Sequence, residues 1–87
     1  MNFKNKVIVI TGASSGIGEA SAIKFAKNNA KIVLVARRKE KLLQLQKKLV
    51  KFTDSTLVCQ CDVSNKTQVK EMTDIVLDTF GRIDVLI

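Results

Sequence analysis

An α/β fold with a doubly wound parallel sheet is predicted by three features of this 87-residue sequence. Short apolar runs rich in β-branched residues recur at 7–10, 32–35, 57–59 and 83–87. Longer segments with apolar residues at helical spacing lie between them, and a glycine-rich turn leads from the first run into the first of these segments. Strand-favouring runs that alternate with helices are the pattern of parallel strands joined by right-handed crossovers.

Each element has its own local reason. The first strand, 7–10, reads Val7-Ile8-Val9-Ile10 without polar alternation, as a strand covered on both faces requires. The helix over 16–28 is rich in alanine around Ile17, Ile23 and Phe25, so it can approach a sheet closely on a broad face, and Asn29 is a left-handed stop for it. After the second strand, Leu42, Leu45, Leu49 and Phe52 place one apolar stripe on a helix over 39–51. After the third, Val69, Met72, Val76 and Phe80 do the same over 66–79, with Ser64 or Asn65 as N-cap and Gly81 as left-handed terminator. The order is β-α-β-α-β-α-β. In a doubly wound sheet this gives strand order 3-2-1-4, with a ligand crevice between strands 1 and 4 at their carboxyl ends.

The formal charge of +7 raises nucleic-acid binding as a function. Its densest basic stretch, 37–51, alternates with leucines as a solvated helix face does, and the chain has no tyrosine or tryptophan to stack on bases. No nucleic-acid partner is therefore expected. The polar lead at 1–6 runs into an apolar segment far too short for a signal-peptide core or a membrane span, so a cytoplasmic protein without membrane partner is expected. Cys59 and Cys61, at i and i+2 on a strand, point the same way and read as small buried side chains; without histidine they make no zinc site.

The chemistry lies in the turn Thr11-Gly12-Ala13-Ser14-Ser15-Gly16-Ile17-Gly18. A strand, a glycine turn and a helix start bring unpaired backbone N–H groups and the positive end of a helix to one point, where a pyrophosphate binds. Gly12 allows the sharp turn, Gly16 leaves room for a cofactor, and Gly18 lets the helix pack close to the sheet. Ser14 and Ser15 add hydroxyl donors. The glycine spacing i, i+4, i+6 differs from that of P-loops, and no lysine follows Gly18 to hold a triphosphate.

With this T-G-x-x-x-G-x-G turn the sequence resembles the classical short-chain dehydrogenases/reductases, from Lys6-Val7-Ile8 to Asp84-Val85-Leu86-Ile87. The resemblance implies that residues 1–87 are the N-terminal, dinucleotide-binding (Rossmann) part of one incomplete domain. It implies an oxidoreductase that transfers hydride between a nicotinamide and the carbonyl or secondary alcohol of a small-molecule substrate. Cofactor contacts are expected at Gly12, Ser14, Ser15, Gly16, Ile17 and Gly18.

Strand 2 ends Ala36-Arg37-Arg38, where an NAD-preferring site usually offers an acidic group to the ribose hydroxyls. A guanidinium fork instead binds a 2′-phosphate by paired, charge-assisted hydrogen bonds, so NADP(H) is the expected cofactor. By resemblance, Arg37 stands at the selecting position and Arg38 supports it. Asp62 and Val63 are similar to the family's D-V element, which contacts adenine; Asp62 has the alternative of only helping to start the next helix.

In this family a tyrosine with a lysine four positions on, a serine and an asparagine-rich turn after strand 4 carry the reaction. The sequence contains no tyrosine and no histidine, and no catalytic residue is expected in it. The alternative function is a stand-alone dinucleotide-binding or sensing module without catalysis. Ile83, Val85, Leu86 and Ile87 are expected on an uncovered edge, which favours self-association, and a homo-oligomer is the expected assembly.

Overall fold

The computed structural model describes residues 2–87. Its elements run β1 (Val7–Thr11), α1 (Gly16–Lys27), β2 (Lys31–Ala36), α2 (Lys39–Leu49), β3 (Thr56–Gln60), α3 (Lys66–Phe80) and β4 (Val85–Leu86). The strands form one parallel sheet in the order β3-β2-β1-β4, the topology expected from the alternation of elements.

The unbroken apolar runs follow from a sheet buried on both sides. On one face Ile8, Ile10, Ile32 and Leu34 pack against Ala22 and Ala26 of α1 and Leu42, Leu45 and Leu49 of α2. On the other, Val7, Val9, Val33, Val35 and Cys59 pack against Met72 and Val76 of α3. The larger side chains thus meet the alanine-lined helix and the smaller valines meet α3. A fully buried aliphatic side chain contributes about 1.5–3 kcal/mol, so the two central strands carry much of the stability. Cys59 and Cys61 share the α3 face as free thiols, and burial pushes both above their ordinary range and away from thiolate.

The helix ends match their residues. Asn65 caps α3, its side chain accepting from the Gln68 amide at 3.1 Å. Gly81 terminates α3 in the left-handed conformation at φ 79°, and Asn29 takes φ 61° just beyond α1. Two details differ from expectation. Ile17 stands 84% exposed and, unlike Ile23 and Phe25, takes no part in the core packing of α1. Helix α2 ends at Leu49 rather than 51, where Phe52 N–H turns back to the Leu49 carbonyl.

β4 is a two-residue strand, yet its bonding to β1 is longer than its name. Asp84 N–H donates to Val7 O at 2.9 Å, Ile87 N–H to Val9 O at 2.8 Å, and Thr11 N–H to Ile87 O at 2.8 Å. Asp84 adds a side-chain latch: one carboxylate oxygen accepts from Val7 N–H at 2.8 Å, the other from Arg82 Nε at 3.0 Å. These bonds, the Arg82 contact first, hold the Asp84 carboxyl below the usual carboxylate range. A carboxylate lowered on folding stabilises the fold above its unfolded pKa of about 4, and that contribution is lost as pH falls through the folded value. Thermal melts of Asp84→Ala and the parent are expected to differ at pH 7 and to converge as the pH falls below about 4.

Candidate cofactor site

The glycine turn folds as a tethered loop. Gly12 takes φ 62°, a left-handed conformation that a side chain disfavours by roughly 1–2 kcal/mol. Ala13 N–H donates to Val35 O at 3.1 Å, tying the loop to β2. On the other flank the Thr11 hydroxyl donates to Ile87 O at 2.7 Å, beside the Thr11 amide bond to the same carbonyl. Thr11 is the functional residue that sequence reasoning missed. Its place as the first residue of the motif was the available signal, but the acceptor lies 76 positions away.

Gly18 is fixed by contact. A Cβ there would lie 2.5 Å from the Gly12 carbonyl oxygen and 2.8 Å from Ala13 Cα. The first turn of α1 therefore presses on the loop itself, a closer reason for glycine than approach to the sheet. At Gly16 a Cβ would meet nothing within 4 Å, so the space above it is open for a ligand.

Ser15 has a structural role in the loop. It caps α1: its hydroxyl accepts from Gly18 N–H at 3.1 Å and gives its only proton to Gly12 O at 2.9 Å. Its amide also donates to Gly12 O, at 3.0 Å, so Ser15 shapes the loop. Among the described residues, no protein acceptor meets the amides of Ser14, Gly16 and Ile17 or the Ser14 hydroxyl. These groups point a donor set at the start of α1, where its dipole is positive.

An open groove of about 780 Å³ lies over the carboxyl ends of β1, β2 and β3, walled by Gly12 and Ser14, by Arg37 and Arg38, and by Asp62, Val63 and Ser64. Most of the expected site residues thus come together in one groove. On the β4 side, Thr11 bonds the Ile87 carbonyl through both its amide and its hydroxyl. Arg37, Cys61 and Asp62 also border a second depression of about 610 Å³ between β3 and α3, where Val58, Met72 and Ile75 are apolar.

Neither Arg37 nor Arg38 forms an ion pair among the described residues. Gln60 Nε2 donates to Arg37 O at 3.0 Å and steadies that backbone. Asp62 takes the helix-starting role that was its alternative. One carboxylate oxygen accepts from the Ser64 hydroxyl at 2.7 Å and the Ser64 amide at 3.0 Å, opening the turn before α3. Those bonds, with the Arg37 charge as a smaller contribution, hold its carboxyl below the usual carboxylate range. The other oxygen has no partner among the described residues, and neither has Val63 N–H, while the Val63 side chain is exposed at the groove. Among the described residues, no three His, Cys, Asp or Glu side chains gather as a metal site would require, and no helix is long and apolar enough to cross a membrane.

A parallel sheet in the order 3-2-1-4, with a glycine loop feeding bare amides into a helix start, defines a Rossmann-type α/β fold. The sequence profile of the short chain dehydrogenase family matches residues 6–87, and the chain belongs to that family. It is 41% identical over 86 residues to an uncharacterized oxidoreductase of Listeria innocua, covering 99% of this chain and 35% of the relative. The solved L-sorbose reductase of Gluconobacter frateurii, complexed with NADPH and L-sorbose, is similar at TM-score 0.91 and 42% identity. That match covers 99% of this chain and 34% of the reductase. A 3-ketoacyl-(acyl-carrier-protein) reductase of Brucella melitensis, complexed with NADH, aligns at TM-score 0.88 and 36% identity, over 97% of this chain and 33% of its own. The chain therefore spans about a third of the length of the curated relatives it matches.

The Gly18 contact has a direct consequence. Overpacking against backbone costs about 1–3 kcal/mol, and each kcal/mol shifts the melting temperature of a domain this size by roughly 4–8 °C. Gly18→Ala is expected to melt several degrees below the parent in a calorimetric scan, whereas Gly16→Ala is expected to melt with it.

Proposed function

We propose that this chain is the cofactor-binding part of an NADP(H)-dependent short-chain dehydrogenase/reductase acting on a small carbonyl or secondary-alcohol substrate. The observation that carries the cofactor choice is the pair Arg37 and Arg38 at the groove, neither in an ion pair among the described residues, where an NAD site would present an acid. When bound, the dinucleotide supplies a nicotinamide that gives or takes hydride. The chain's own groups bind and orient it. The amides of Ser14, Gly16 and Ile17 receive the diphosphate, the open space at Gly16 admits it, and Gly12 and Gly18 hold the loop that presents those amides. The guanidinium groups of Arg37 and Arg38 meet a 2′-phosphate; the unpartnered oxygen of Asp62 and the Val63 amide face the adenine edge.

No residue of this chain is assigned the proton transfer, since it holds neither tyrosine nor histidine. The chain by itself is expected to bind the dinucleotide without turning over substrate. A cytoplasmic setting accords with Cys59 and Cys61 as free thiols.

Charge-assisted hydrogen bonds contribute about 1.5–3 kcal/mol each, or roughly one to two orders of magnitude in affinity. Calorimetric titration is expected to show NADPH binding more tightly than NADH, with Arg37→Asp abolishing the difference. An Arg37→Asp protein that holds NADPH as tightly as the parent would remove the NADP assignment.

Ile83, Leu86 and Ile87 are 37%, 67% and 47% exposed, on an edge strand paired only with β1. The isolated chain is therefore expected to self-associate as concentration rises, read by light scattering. Replacing Leu86 with lysine should suppress it.

A further inference from the structure

Beyond the groove, a smaller recess of about 170 Å³ opens on the α2 side of the glycine loop, lined by Ala13, Ser14, Glu19, Lys41, Gln44 and Lys48. Ser14 borders both this recess and the groove that Arg37 and Arg38 wall. The charges of the recess are unequal in state. Glu19, its one carboxylate, is paired with Lys48 at 2.6 Å. Lys41 has no ion-pair partner among the described residues.

Lys41 lies in the first turn of α2, just past the two arginines that end the β2 loop. Arg38 is the N-cap of that helix and makes no side-chain cap bond. The three cations therefore stand around Ser14, with the arginines on the groove side and Lys41 on the recess side. Ser15, next along the loop, offers no charge and has committed its hydroxyl to Gly12 and Gly18.

We infer that Lys41 is a specificity-determining residue, closing the 2′-phosphate cradle opposite Arg37 with Ser14 between them. This rests on the NADP(H) reading above and adds to it a contact from the first turn of α2. An ammonium on a flexible stem supplies a point charge to a phosphate oxygen that a planar guanidinium on the other side does not reach. The selectivity for the phosphorylated cofactor is thus divided between the end of β2 and the start of α2.

The test compares 2′,5′-ADP with ADP by calorimetry, and NADPH with NADH, in the parent and in Lys41→Gln, Lys41→Arg and Arg37→Asp. Lys41 is exposed, so folding of each variant is checked by its melting temperature and expected to match the parent. Lys41→Gln is expected to weaken 2′,5′-ADP and NADPH by about threefold to tenfold, leave ADP and NADH unchanged, and be rescued by Lys41→Arg. Equal weakening of ADP and 2′,5′-ADP would reduce Lys41 to a general attraction for anions and overturn the inference. If the parent prefers 2′,5′-ADP, loses that preference in Arg37→Asp and keeps it in Lys41→Gln, the role of Lys41 falls while the cofactor reading stands. A parent that binds 2′,5′-ADP no better than ADP removes both.

Discussion

The first turn of α1 sits against the Gly12 carbonyl at a distance that leaves no room for a methyl group on residue 18. That closeness sets the rest of the site. It lets the Ser15 hydroxyl bridge the Gly12 carbonyl and the Gly18 amide, which fixes the start of the helix. With the start fixed, the following amides and the helix dipole point at the same space. A wider gap would break the Ser15 bridge, and the loop would lose the geometry that aims those amides.

The sheet beneath supplies position. β1 and β2 are buried on both faces, so their carboxyl ends are held from the α1/α2 side and from the α3 side at once. The loops after β1, β2 and β3 leave from the same edge of the sheet because the strands are parallel and in register. Glycine amides, arginine guanidinium groups and the Asp62 carboxylate therefore meet over one groove although they lie far apart in the chain. Parallel topology is the reason that short loops assemble around one groove.

Much of this is legible in residues 7–87, and the parts that are not have identifiable causes. Unbroken runs such as Val7-Ile8-Val9-Ile10 announce a doubly covered strand, and the leucine stripe from Leu42 to Leu49 announces the buried face of α2. The glycine loop and the arginines are legible because their chemistry is local to the motif. Ser15 is not: a hydroxyl has one proton, and which oxygen receives it depends on where the fold brings the Gly12 carbonyl. Thr11 and Asp84 escape for a different reason, since their partners, Ile87 and Val7, are separated from them by 76 and 77 positions.

The two donors of Thr11 share the Ile87 carbonyl on one side of the glycine loop, and Ala13 bonds Val35 on the other. The loop is thereby suspended between neighbouring strands, its wandering already quenched before any guest arrives. Association then forfeits little configurational entropy in the host, so a larger share of each contact is realised as affinity.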